Sequence, residues 1–239
     1  MNILITGGAS GFGESITKNL ARNKANKIYF TYCKSSENAK RIESSFTNTK
    51  GIYCNFKNAD SIQSLLGQME SLHLEVLVNN ALTGIKKDYF HKIEADDFVQ
   101  SYMTNILPVI KITQKAILIF RKQKSGKIIT IISSYISNKP AIGLSEYLAQ
   151  KNYLLSLSKS WVVENAKFNI TSNCVSPAFM QTPLNADTDE RVIEEIINNH
   201  PLKRLLTTDE AAESVNYFIN AQKHVNGVNM IINSTYDIV

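Results

Sequence analysis

A chain of 239 residues, 44% hydrophobic and 20% charged, holds enough apolar material for one full core and fits a single domain better than two small ones. Disorder and a disulfide-stapled miniprotein are excluded, and the three cysteines (Cys33, Cys54, Cys174) lack the paired spacing of a zinc site or a disulfide framework. The net charge of +5 is scattered over single residues and pairs such as Lys86-Lys87 and Lys203-Arg204, which argues against a nucleic-acid-binding arm.

The chain opens on an apolar run, Ile3 to Ile5, that predicts a strand. Thr6-Gly7-Gly8-Ala9-Ser10-Gly11-Phe12-Gly13 follows, and helical periodicity then runs from Phe12 to Asn23. Strand, glycine turn and helix make a phosphate cradle, because glycines let the backbone bend and approach a pyrophosphate while the helix N-terminus stabilises its charge. The spacing is TGxxxGxG, not the commoner GxGxxG. A second strand, Ile28 to Tyr32, ends in Cys33-Lys34-Ser35-Ser36 without the carboxylate that favours NAD. Lys34 with Ser35 suits a 2′-phosphate and favours NADP(H), with NAD(H) the other possibility; the serines equally suit the N-cap of the next helix, Glu37 to Phe46.

Further strands are predicted at Ile52 to Phe56, Val76 to Val78, Ile128 to Ile132, Thr171 to Val175 and Val228 to Ile232. The helical segments between them are Ala59 to Leu72, Asp96 to Lys122, Leu144 to Asn165, Glu190 to Asn199 and Asp209 to Ala221. Seven strands alternating with helices predict a single α/β domain over 1–239, a doubly wound parallel sheet with its ligand site at the carboxyl ends of the strands. The polar, proline-containing stretch 177–206 breaks the alternation and reads as a lid. No run of eighteen apolar residues and no basic-then-apolar start is present, so the expectation is a cytoplasmic protein without a membrane span.

Tyr-x-x-x-Lys occurs at Tyr53/Lys57, Tyr135/Lys139 and Tyr147/Lys151. Residues four apart share a face only on a helix. Tyr53 falls in a strand and Lys139 precedes Pro140, which leaves Tyr147/Lys151, near the start of a long helical segment, in working geometry. A phenol becomes a useful acid when a nearby ammonium stabilises the phenolate. Ser133-Ser134, closing the fifth strand, offers a hydroxyl for the substrate oxygen.

With these residues in this order the whole chain resembles the short-chain dehydrogenase/reductase family, and within it the 3-oxoacyl-[acyl-carrier-protein] reductase-like group. Asn79-Asn80-Ala81 is similar to the family's Asn-Asn-Ala-Gly, Asn105 to its catalytic asparagine, Asn173 to Pro177 to the stretch before its Pro-Gly turn, and Pro201 to Leu205 to its Pro-Leu-x-Arg segment. The resemblance implies a Rossmann-like sheet in the order 3-2-1-4-5-6-7. It implies Tyr147 as acid or base, Lys151 on the nicotinamide ribose, Ser134 on the substrate carbonyl and Asn105 holding a water that leads to the lysine. Ser134 lies thirteen residues before Tyr147, as is common in the family, whereas counting from Gly126 selects Ser133.

For the cofactor the resemblance implies Thr6, Gly7, Ser10, Gly11, Phe12, Gly13, Tyr32, Lys34, Ser35, Asn55, Phe56, Asn80, Ala81, Tyr147, Lys151, Pro177, Phe179 and Thr182, with no metal. It also implies a small carbonyl or acyl-thioester substrate and a homotetramer or homodimer. Leu82 and Ala178 replace family glycines, Asn55 replaces an aspartate, and Asn233-Ser234-Thr235 replaces Asp-Gly-Gly. These departures support a second expectation, a catalytically silent dinucleotide-binding regulator or an inactive partner subunit.

Overall fold

The computed structural model of the protein describes residues 1–137 and 140–235; Lys139, and with it the Tyr135/Lys139 pair, lies outside them. The elements alternate as β1 (Asn2–Ile5), α1 (Gly11–Ala21), β2 (Lys27–Tyr32), α2 (Ser36–Ser45), β3 (Thr49–Tyr53), α3 (Ala59–Gln68), β4 (Val76–Asn79), α4 (Ala95–Ser101), α5 (Leu107–Gln123), β5 (Gly126–Ile131), α6 (Ser145–Asn165), β6 (Ile170–Pro177), α7 (Glu190–Asn199), α8 (Thr208–Asn220) and β7 (Asn229–Ile232). The seven strands form one parallel sheet in the order β3-β2-β1-β4-β5-β6-β7, as the resemblance implied. The order reverses between β1 and β4, the position at which such a sheet opens a crevice.

Both faces of the sheet are buried, which is why its central strands read as continuous apolar runs. Side chains alternate along a strand: Ile3 and Ile5 join α1, α2 and α8 through Ile16, Ile42 and Phe218. Leu4 points the other way and joins α3 and α5 through Leu65, Ile112 and Phe120. Asn79, at the end of β4, donates to Thr113 Oγ1 on α5 at 2.9 Å, tying strand to helix. The stretch Ala95–Gln123 is long and apolar enough to cross a membrane, with a mean hydropathy of 1.3, but half of it is buried here, as in a core helix.

Three elements depart most from the expectation. Strand β3 ends at Tyr53, not Phe56, because Asn55 starts a turn: its Oδ1 accepts from Lys57 N and its carbonyl from Asn58 N, both at 3.0 Å. Helix α3 ends at Gln68, and Leu72 is buried from the turn that follows. The predicted helix Asp96 to Lys122 is broken by a π turn over Tyr102–Ile106, in which Leu107 N reaches back to Tyr102 O. Pro108 follows directly and has no N–H to continue the ordinary ladder.

Candidate active site

A cleft of about 820 Å³ runs along the carboxyl ends of the strands. Its floor is the turn between β1 and α1. Gly7 and Gly11 have φ of +66° and +51°, a region that side chains rarely enter. A Cβ on Gly13 would lie 2.1 Å from Gly7 O, so the closeness of helix and turn requires glycine there. Ser10 holds the N-cap position of α1 without a side-chain cap, and Ser10, Gly11, Phe12 and Gly13 all line the cleft. The first turn of a helix therefore presents its N–H groups and positive dipole to an open space, which fits a pyrophosphate.

The neighbouring strands hold this turn in place. Gly7 N donates to Thr31 Oγ1 at 2.8 Å. Thr6 does not line the cleft; it braces it, with its Oγ1 accepting from Asn80 N at 2.9 Å and Ala81 N at 3.0 Å. The Asn80 amide donates to Thr6 O at 3.0 Å and Gly7 O at 3.2 Å. Beyond β2 and β3 the cleft is walled by Tyr32, Lys34, Ser35, Asn55 and Phe56. Ser35 is the N-cap residue of α2 but makes no side-chain cap, so its hydroxyl is not committed to the helix. Leu82, Asn55 and Ala178 all reach the cleft.

On the opposite wall Tyr147 and Lys151 stand one turn apart on α6. Lys151 is buried; its Nζ donates to Ile131 O at 2.8 Å and lies 5.6 Å from the centre of the Tyr147 ring. Burial lowers the lysine pKa to about 8, partly offset by the Cys174 thiol. Burial also raises the Tyr147 phenol above its usual range, while a hydrogen bond with the Ser133 side chain pulls it back. Ser133 is therefore the serine that meets Tyr147 and lines the cleft; Ser134 is buried as the first residue of a 3₁₀ turn and does not line it. The spacing to Tyr147 pointed to Ser134, but the extended backbone at Ser133 (φ −167°) is the last before the chain curls away.

Asn105 is buried inside the π turn and does not line the cleft. Its Oδ1 accepts from Thr83 N at 2.8 Å and Thr83 Oγ1 at 2.6 Å. Thr83 belongs to none of the sequence motifs; its only signal there is a hydroxyl three residues past Asn80. Pro177, Phe179 and Thr182 line the cleft from the segment after β6. Thr182 packs over the glycine turn, 3.3 Å from where a Gly11 Cβ would stand, and the ion pair between Lys87 and Asp187 joins that segment to the loop after β4. His200 is buried elsewhere, with its Nδ1 accepting from Leu202 N at 3.1 Å. Among the described residues no cluster of His, Cys, Asp and Glu could hold a metal ion.

Residues 1–193 match the family described as short chain dehydrogenase. The chain is 30% identical over 237 residues to a 3-oxoacyl-[acyl-carrier-protein] reductase of Salmonella typhimurium, covering 94% of this chain and 95% of that one. In fold it is similar to a 3-ketoacyl-(acyl-carrier-protein) reductase from Brucella melitensis complexed with NADH, with a TM-score of 0.87, 23% identity, and 99% and 98% of the two chains covered. A structure of ElxO with NADP bound gives a TM-score of 0.87 at 24% identity, with 98% of each chain covered.

Proposed function

The chain belongs to the short-chain dehydrogenase family, and from that premise we propose that it uses NADPH to reduce the carbonyl of an apolar substrate, a 3-oxoacyl thioester first among them. The broader class, an NAD(P)-dependent oxidoreductase, follows from the family and its reductase relatives. The observation that carries the finer reading is the Tyr147/Lys151 pair on the wall of a cleft whose floor is the glycine turn.

A bound nicotinamide supplies the hydride, and the protein supplies orientation and proton transfer. Burial keeps the Tyr147 phenol protonated at neutral pH, so its Oη holds a proton to give to the substrate oxygen. The Ser133 hydroxyl, beside that phenol, donates a second hydrogen bond to the same oxygen and takes the role that the spacing assigned to Ser134. Lys151 binds the ribose hydroxyls and brings positive charge to the developing phenolate. Asn105, oriented by Thr83, is a positioning residue for a water that leads toward Lys151.

Gly7, Ser10, Gly11, Phe12 and Gly13 take the pyrophosphate, with Thr6, Asn80 and Ala81 bracing them. Tyr32, Asn55 and Phe56 border the adenosine, Lys34 and Ser35 the 2′-phosphate. Pro177, Phe179 and Thr182 close over the nicotinamide. Ile85, Ile142, Leu144, Leu184, Val192 and Ile196 line the remaining space, and this apolar lining supports an acyl or other hydrophobic substrate. Exposed Val99, Leu118, Tyr153 and Val163 on α4 to α6, with Met103 in the π turn between α4 and α5, support a homotetramer or homodimer. The reading includes a cytoplasmic location and no nucleic-acid or membrane partner.

Titration with NADPH and, separately, NADH, read by fluorescence of the reduced nicotinamide, tests the cofactor; tighter binding of NADPH is expected. Turnover of a 3-oxoacyl thioester, absent in Tyr147→Phe, tests the chemistry. Binding of neither nucleotide would mean that Leu82, Asn55 and Ala178 have closed the site, and the silent regulator or inactive partner subunit would take its place.

A further inference from the structure

Two thiols at the adenosine end of the cleft take no part in this chemistry. Strands β2 and β3 pair in register with Tyr32 opposite Tyr53, and the two rings meet edge to face with centroids 6.0 Å apart. Paired residues on these strands therefore project to the same side. Cys33, in a bend, and Cys54 each stand one residue past this last pair, and Cys54 N still donates to Tyr32 O at 2.8 Å. Neighbouring strands run about 4.8 Å apart, inside the Cα separation of about 4.4–6.8 Å that a disulfide spans. Both cysteines are free, Cys33 exposed and Cys54 buried, and both line the cleft. Cys33 precedes Lys34 and Ser35, and Cys54 precedes Asn55 and Phe56.

We propose that Cys33 and Cys54 form a reversible intramolecular disulfide when a peroxide oxidises them, and that this bond closes the adenosine end of the cleft to NADPH. The exposed Cys33 Sγ attacks one peroxide oxygen, the O–O bond breaks, and the released hydroxide takes the thiol proton to leave as water. Cys33 is then a sulfenic acid. Cys54 Sγ attacks Cys33 Sγ; the S–S bond forms, the S–O bond breaks, and the departing hydroxide leaves as a second water with the Cys54 proton. The thiols lose two electrons and two protons in all, and the peroxide is reduced to two waters. Burial pushes the Cys54 thiol up to about 11, which keeps its thiolate scarce at neutral pH and slows the second step. The bond pins the bend at Cys33 to the end of β3 and so holds Lys34 and Ser35 off a 2′-phosphate.

The effect on NADPH rests on the cofactor reading above, whereas the disulfide itself does not, and the test separates them. The whole protein is treated with hydrogen peroxide, its free thiols are counted after denaturation, and its disulfides are mapped by mass spectrometry of peptides. The expected count falls from three to one, with Cys174 remaining free and the linked peptides containing Cys33 and Cys54. Cys33→Ser, at an exposed position, and Cys54→Ala each abolish the linkage. The NADPH dissociation constant rises about tenfold or more on oxidation, as expected for losing a charge-assisted contact, and returns with dithiothreitol. Sulfinic acid on Cys33 without a link, a link between chains, or unchanged NADPH affinity in the linked protein overturns the proposal. If the reduced protein binds no NADPH, the cofactor reading fails and the proposed closure with it, and the map then decides the thiol pair alone.

Discussion

Helices α5 and α6 pack on the same face of the sheet and bury opposite kinds of side chain. Helix α5 buries Val109, Ile112, Ala116, Ile119 and Phe120. Helix α6 buries Glu146, Gln150, Lys151 and Ser158 beside Leu148 and Leu154. Glu146 Oε2 and Gln150 Oε1 have no hydrogen-bond partner among the described residues, although Gln150 Nε2 donates to Glu146 Oε1 at 2.6 Å. One helix is shaped by the hydrophobic effect; the other carries buried polar groups that cost stability. Substitutions on the two helices should therefore separate stability from activity.

The largest effect is expected from Tyr147→Phe, which should lower turnover by about 10²–10⁴-fold, the range of a lost general acid, while nucleotide titration stays unchanged. Undiminished turnover would remove Tyr147 from that role. Phe120→Ala on α5 should do the converse, costing about 3–5 kcal/mol in a denaturant melt while the folded fraction keeps its kcat. A proportionate loss of kcat would show that the two helices are not separable.

Lys151→Met sharpens the comparison, because one change should act in opposite senses on stability and activity. The lysine pKa falls from 10.5 to about 8 on folding. Below pH 8 both folded and unfolded chains hold the proton, and the folded one bears the full cost of a buried charge. Between 8 and 10.5 the unfolded chain holds more protons, so stability rises as the pH rises, by about 3 kcal/mol across that window. Lys151→Met should abolish turnover, raise the melting temperature at pH 7 and flatten the rise across pH 8–10.5; a melting temperature below that of the native chain would refute this account. Smallest is Lys34→Glu, expected to weaken NADPH about tenfold and NADH much less, measured by the same titration. Equal losses would take Lys34 off the 2′-phosphate.

Much of this arrangement is legible in the sequence, for reasons that differ by region. The strands stand out because burial on both sheet faces leaves unbroken apolar runs, and the glycine turn because crowding against Gly7 O admits no side chain at Gly13. Tyr147 and Lys151 are separable from two chance pairs because only a helix sets residues four apart on one face. The π turn at Asn105 is hidden, since hydrophobic periodicity continues through it and only Pro108 marks the break. The choice between Ser133 and Ser134 turns on where the chain leaves β5, a backbone property that a count of residues does not carry.

The clamp between Thr6 and Asn80 has a consequence for how the molecule assembles. Its hydrogen bonds join residues 73 to 75 positions apart, so the bracing of the glycine turn, begun by Thr31 on β2, is complete only after β4 has docked against β1. Closing a loop of that length is a late, entropically costly event. A nascent chain that has released β1, α1 and β2 holds every glycine of the turn yet lacks its clamp, so the capacity to bind a pyrophosphate should arise with the docking of β4, a kinetic marker of that step in refolding.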